Sequence, residues 1–167
     1  LVGPVEFDIY ESDFPTCYSW GKMTDMIEHK EMPVPGEGLF RYYRSAEDFE
    51  DKLARLAEAR TLAAGFDDPY FLHETDVATS YVRLARSIYR LGTLLATEDP
   101  LEPSNQTRLR EMLADLRAAG EMNAEAIRTW RAGIGPEPWH YRVHDAIRAT
   151  DETVANIGGI VEGRYLY

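Results

Sequence analysis

The feature that most constrains this chain is a line of apolar residues between positions 77 and 95. Its members recur at alternating steps of four and three: Val77, Tyr81, Leu84, Ile88, Leu91 and Leu95. This spacing is the heptad pattern of a helix that packs one face against other helices. Asp68 provides an N-cap and Pro69 a proline in the first turn, so the pattern predicts a helix from about residue 68 to Ala96.

A shorter helix is predicted before this one and a longer helix after it. The shorter helix opens at the capping-box spacing of residues 45–48 and ends at Gly65, and its apolar face is Phe49, Leu53, Leu56 and Ala57. The longer helix has Ser104 or Thr107 as its cap, and its line is Leu109, Leu113, Leu116, Gly120, Asn123, Ile127 and Trp130. Gly120 and Asn123 interrupt that line, so either the helix breaks there, or a neighbouring backbone comes close and Asn123 finds a buried partner. We favour the unbroken helix.

A fourth helix is predicted from about Pro138 to Ile157, after the breaking residues 133–136. Its apolar face is formed by Val143, Ile147, Thr150, Val154 and Ile157. Gly158 and Gly159 are expected to end it. The four segments predict an all-α fold, an up-down four-helix bundle over residues 45–167. The alternative is a long antiparallel hairpin of the second and third helices that pairs with another copy.

Residues 1–44 differ in composition and are predicted to form an extended arm packed outside the bundle. They contain eight of the 19 aromatic residues and four of the nine prolines. Residues 5–9 alternate as in a short strand, and Thr24–Glu31 predicts two helical turns that end before Pro33. Such an arm either covers the helices with its rings or reaches a partner.

The charge balance argues against several function classes. The formal net charge is −11, and no local basic stripe is visible, so neither nucleic acid nor a membrane surface is an expected partner. Cys17 is the only cysteine, which excludes an intrachain disulfide and fits a cytoplasmic location.

The residues with the best spacing for a site lie at the start of the second and fourth helices. Glu74 precedes the first apolar line by three residues, and His140 stands in the same position before Val143. Because these helices run parallel in such a bundle, the two side chains are expected to meet at one end. His140 and His144 have the i, i+4 spacing of metal ligands, so Glu74, His140 and His144 form a candidate zinc or non-haem iron site. The alternative is a hydrogen-bonded pair of Glu74 and His140 without a metal.

The C-terminal 30 residues or so carry a family resemblance. The run from Trp139 to His144, the residues Ile157-Gly158-Gly159, and then Gly163, Tyr165 and Leu166 resemble the tryptophan 2,3-dioxygenase family near its proximal haem histidine and its glycine-rich substrate loop. The resemblance implies a haem cofactor, His144 as the iron ligand, and a loop at Gly158 and Gly159.

Two functions follow from these features. The first is a non-catalytic helical interaction or assembly module, alone or within a larger protein or complex, that binds a protein partner or associates with itself. Its basis is the long apolar line, the aromatic arm and the excess of arginine, since interfaces concentrate aromatic and Arg side chains. The second is a haem- or metal-dependent oxygenase with its site at the Glu74, His140 and His144 end.

Overall fold

The computed structural model describes residues 17–41, 43–134 and 141–167, and these residues confirm the all-α class. Their α-helices are α1 (Cys17–His29), α2 (Glu47–Ala63), α3 (Tyr70–Thr97), α4 (Pro103–Ile134) and α5 (Tyr141–Tyr165). A short 3-10 turn, Gly38–Phe40, lies between α1 and α2. None of the helices in these ranges is long and apolar enough to cross a membrane.

Successive helices from α2 to α5 run antiparallel. Asp76 near the start of α3 pairs with Arg60 near the end of α2, at 2.6 Å. Asn123 of α4 contacts Ser80 of α3, while Arg108 pairs with Glu98. Arg117 and Arg128 of α4 pair with Glu162 and Asp151 of α5, so both neighbours of α4 run in the opposite direction. The second and fourth predicted helices, α3 and α5, are therefore parallel, and the up-down order is confirmed.

The predicted apolar lines form the core. In α3, Tyr81, Leu84, Ile88, Leu91 and Leu95 are all at most 2% exposed, and only Val77 at the start of the line is partly exposed. In α4, Leu109, Leu113, Leu116 and Ile127 are at most 3% exposed. One residue of the shorter helix is placed wrongly by its pattern, since Ala57 is exposed while Ala59 and Ala63 are buried.

Helix α4 is unbroken at Gly120, because that residue is where α5 comes close. A Cβ atom at Gly120 would lie 2.8 Å from Cγ2 of Val154. One turn further on, Asn123 is fully buried, and its Nδ2 donates to Ser80 Oγ at 3.0 Å. The Thr150 hydroxyl lies 3.5 Å from Asn123 Oδ1. The buried polar partner of Asn123 is confirmed, whereas the close neighbour at Gly120 is the side chain of Val154 and not a backbone, as had been expected.

The expected stop at Gly158 and Gly159 is wrong. Helix α5 continues through both glycines to Tyr165. A glycine costs a helix only about 1 kcal/mol relative to alanine, whereas burial of a large apolar side chain returns about 1.5–3 kcal/mol. Val161 and Tyr165 lie beyond the glycines on the buried face of α5, so packing keeps these last turns helical.

The described part of the arm is more helical than Thr24–Glu31 suggested, since α1 begins at Cys17. Met23, Met26 and Ile27 of α1 are buried in the same core as the α3 line. Gly92 of α3 permits this contact, because a Cβ atom there would lie 2.9 Å from Met26 Cε. The composition changes at residue 44, but buried residues on both sides of that position belong to one hydrophobic core.

Rings of the arm cover the helices, as expected. Phe40 and Tyr43 are buried, and Tyr43 stacks on Phe49 of α2 with a centroid distance of 4.0 Å. Phe40 meets Tyr89 of α3 edge to face at 5.3 Å. Burial raises the pKa of Tyr43 well above its ordinary value, so its hydroxyl stays protonated. The alternating segment at residues 5–9 lies outside the described residues.

Candidate functional site

Of the three residues predicted to form a site at the bundle end, the structure describes the side chain of Glu74 alone. Glu74 is partly buried on the first turns of α3, and its Oε1 accepts a hydrogen bond of 2.5 Å from Nε1 of Trp130 in α4. His140 lies outside the described residues. His144 belongs to α5, but its side chain is not among those described.

The register of α3 against α5 bears on this site. Ser80 and Thr150 lie at one level of the bundle, since both contact Asn123. Glu74 and His144 each stand six residues earlier in their helices, so the two backbone positions are level with one another. Among the described residues, no group of three His, Cys, Asp or Glu side chains is placed to hold a metal ion. The metal site, the haem ligand and the Glu74–His140 pair remain predictions.

The glycines singled out by the family resemblance have a helical setting. Gly158 and Gly159 are both within α5, where the resemblance implied a loop. The guanidinium of Arg117 covers Gly158, with its Nη2 3.3 Å from the place of a Cβ atom, while the space beside Gly159 is open. This helix does not have the substrate loop that the resemblance implied.

A cluster of exposed apolar side chains occupies the turn between α2 and α3, and we name it the aromatic patch. Its members are Leu62, Phe66, Tyr70 and Phe71, which are 58%, 61%, 41% and 51% exposed. The rings contact one another, with centroids 5.4 Å apart for Phe66 and Phe71 and 5.7 Å for Tyr70 and Phe71. Contiguous apolar surface of this kind marks interaction sites more often than scattered apolar residues do.

The local sequence explains why these rings face outward. Helix α2 closes at Gly65, whose N–H donates to the carbonyl of Leu62 at 3.0 Å. Helix α3 begins just after Asp68, whose Oδ1 accepts a hydrogen bond of 2.9 Å from the N–H of Tyr70. The turn is therefore tight, and Phe66 and Phe71 fall outside both apolar lines. The aromatic patch was not predicted from the sequence, although large apolar residues outside the apolar lines and beside Asp68-Pro69 are the signal that indicates it.

A second surface lies between α3 and α4. Arg83, Arg86 and Arg90 line one cavity of about 190 Å³ together with Ser87, Met112 and Asp115. We name it the arginine pocket. Spacings of three and four place the three arginines on one face of α3, a grouping that the sequence expectation of no basic stripe did not include. The signal was present in the spacing but was masked by the acidic average.

A larger cavity lies beside the arginine pocket, nearer the aromatic patch. This cavity has a volume of about 350 Å³, and it shares Arg83 and Met122 with the pocket. Its lining includes His73 and the Arg60–Asp76 ion pair. The hydrogen bond to Asp76 raises the pKa of Arg60, so the Arg60 guanidinium stays charged.

Comparison with known proteins gives no relative. No family model matches the chain, and neither a curated protein nor a solved structure matches it.

Proposed function

We propose that this chain is a non-catalytic helical interaction and assembly module that binds a protein partner through the aromatic patch. The single observation that carries the proposal is the group of three exposed rings beside a tight turn, in which Phe71 contacts both Phe66 and Tyr70. Aromatic side chains are the commonest anchors of protein interfaces, because they bury a large area at a small cost in conformational entropy. The apolar line of α3 no longer supports this function, since the chain's own core buries it.

The charges around the aromatic patch favour a partner with basic residues at its rim. Asp67 and Asp68 are exposed within the turn, and the whole chain has a net charge of −11. Two copies meeting symmetrically at this patch would bring these carboxylates together, which opposes self-association. A partner with an apolar centre and a basic rim would bury the rings of the aromatic patch and would also pair with Asp67 and Asp68.

Photo-crosslinking in the native host tests the proposal. A benzophenone amino acid replaces Phe66 in the full chain, and the matched control places it at Leu101, which is 60% exposed but lies away from the patch. We expect one defined crosslinked species from position 66 and none from position 101, and the identified partner, once purified, should bind the chain directly. No product, or the same products from both positions, would refute the function. A crosslinked dimer of the chain would keep the assembly role but refute the basic partner.

A second candidate is the haem- or metal-dependent oxygenase, which the level positions of Glu74 and His144 favour. Its test is the absorption spectrum and the iron and zinc content of the purified chain. His144→Ala should lose a stoichiometric metal or a Soret band, while the control His29→Ala, at an exposed histidine on α1, should keep it. A colourless, metal-free protein would exclude this candidate. The cytoplasmic location, suggested by the lone Cys17, stays part of the proposal.

A further inference from the structure

We propose that the arginine pocket binds a phosphate group, free or on a small organic molecule. The proposal is independent of the aromatic patch, and it rests on an excess of cationic donors around one space. Each guanidinium has five N–H groups, and phosphate oxygens are among their best acceptors.

Two of the three arginines, Arg86 and Arg90, share a single carboxylate. Nη1 of Arg86 lies 2.9 Å from both oxygens of Glu50, and Nη2 of Arg90 lies 3.0 Å from one of the same oxygens. Asp115 also lines the pocket, but it forms no ion pair with these arginines among the described residues. Three positive charges therefore face two negative ones, and this local surplus exists in a chain that is strongly acidic overall.

Two of the three guanidiniums have unused donors. The described residues place no carboxylate within ion-pair distance of Arg83, and its Nη1 has only the sulfur of Met122 as a partner, at 3.4 Å. Nε of Arg86 is buried and has no hydrogen-bond acceptor among the described residues. A buried donor without an acceptor is costly, so the pocket is incomplete in its hydrogen bonding.

The dimensions of the pocket suit a small anion. Its volume of about 190 Å³ is below the roughly 300–1,000 Å³ of pockets that hold drug-sized ligands. Three guanidiniums and the Ser87 hydroxyl around one space suit an anion with four oxygens better than a carboxylate with two. Met112 and Met122 offer an apolar wall for a small organic substituent on that phosphate.

Isothermal titration calorimetry at constant ionic strength tests the proposal. The probes are inorganic phosphate, phenyl phosphate and, as the carboxylate arm, succinate. We expect saturable 1:1 binding of at least one phosphate probe and weaker binding of succinate. If inorganic phosphate binds at least as tightly as phenyl phosphate, the ligand is a free anion. Tighter binding of phenyl phosphate than of inorganic phosphate identifies an organic phosphate.

The variants Arg83→Gln and Arg86→Gln locate the site. Losing one charge-assisted contact should weaken phosphate binding about tenfold. Arg83→Gln is the decisive variant, since Arg83 is exposed and its loss should leave the fold intact. The matched control is Arg55→Gln, which removes the same charge from an exposed position on α2 outside the pocket and should stay within twofold of wild type. The proposal fails if neither phosphate probe saturates, if succinate binds as tightly, or if Arg83→Gln binds like the control.

Discussion

The close approach of α4 and α5 at Gly120 gives the sharpest stability test of the fold. Alanine in a helix interior is favoured over glycine by about 1 kcal/mol, so Gly120→Ala would stabilise an isolated helix. In this fold the new methyl carbon would stand 2.8 Å from Cγ2 of Val154, well inside the optimal carbon contact of about 3.5–4.0 Å. Val154 has little freedom to turn away, because a β-branched side chain in a helix has one strongly preferred rotamer.

A second glycine supplies the matched control. Gly159→Ala adds the same methyl group within α5, where nothing lies within 4 Å of it. We expect Gly159→Ala to raise the free energy of unfolding by up to about 1 kcal/mol. Overpacking costs about 1–3 kcal/mol, so Gly120→Ala should be less stable than Gly159→Ala by about that amount. Because both changes are Gly to Ala, the helix propensity cancels in this difference.

Urea denaturation followed by circular dichroism at 222 nm measures both variants. A second background, the Val154→Ala chain, lacks the clashing methyl group. In that background Gly120→Ala should raise the free energy of unfolding as much as Gly159→Ala does in the wild-type chain. Equal effects of the two glycine variants, within about 0.5 kcal/mol in the wild-type background, would refute the close packing of α4 on α5.

Four further variants test the core and the start of α2. Leu84→Ala and Ile88→Ala should each lower the free energy of unfolding by about 2–5 kcal/mol, and a loss below about 1 kcal/mol would mean that the α3 line is exposed for a partner. Asn123→Ala should cost about 2–4 kcal/mol by the same measurement, because it empties a fully buried site and removes the bond to Ser80; a change below about 0.5 kcal/mol would contradict that bond. Burial raises the pKa of Asp48, but hydrogen bonds from the backbone and guanidinium of Arg44 outweigh it and hold the pKa below its ordinary value. A carboxylate whose pKa is lower in the folded state stabilises the fold at any pH above its unfolded pKa, and this stabilisation is lost as the pH falls through the folded pKa. Asp48→Asn should therefore lower the free energy of unfolding by about 1–3 kcal/mol at pH 7 and by much less near pH 2. A cost that does not change with pH would contradict the charge effect.

The sequence was most informative where a side chain's role is set by its own helix. The α3 line has an unbroken period, and burial follows that period almost residue by residue. The interruption at Gly120 and Asn123 was equally readable, since a small residue and an amide on an apolar face have few uses other than close approach and a buried hydrogen bond.

The sequence misled where tertiary packing outweighs a local preference. Gly158 and Gly159 have a poor helix propensity, but the burial of Val161 and Tyr165 beyond them exceeds that cost. The aromatic patch and the arginine pocket were missed for a related reason. Each gathers residues from more than one helix, and neither the turn between α2 and α3 nor the packing of α4 beside Arg83 can be read from the period of one helix.

The proposed docking role of the aromatic patch is tested most directly by the double variant Phe66→Ser/Phe71→Ser. Both rings are more than half exposed, so their loss should change the free energy of unfolding by less than about 0.5 kcal/mol. The same variant should lose the complex with the partner captured from position 66. A variant that unfolds readily yet still forms this complex would show that the rings support the turn rather than bind a partner.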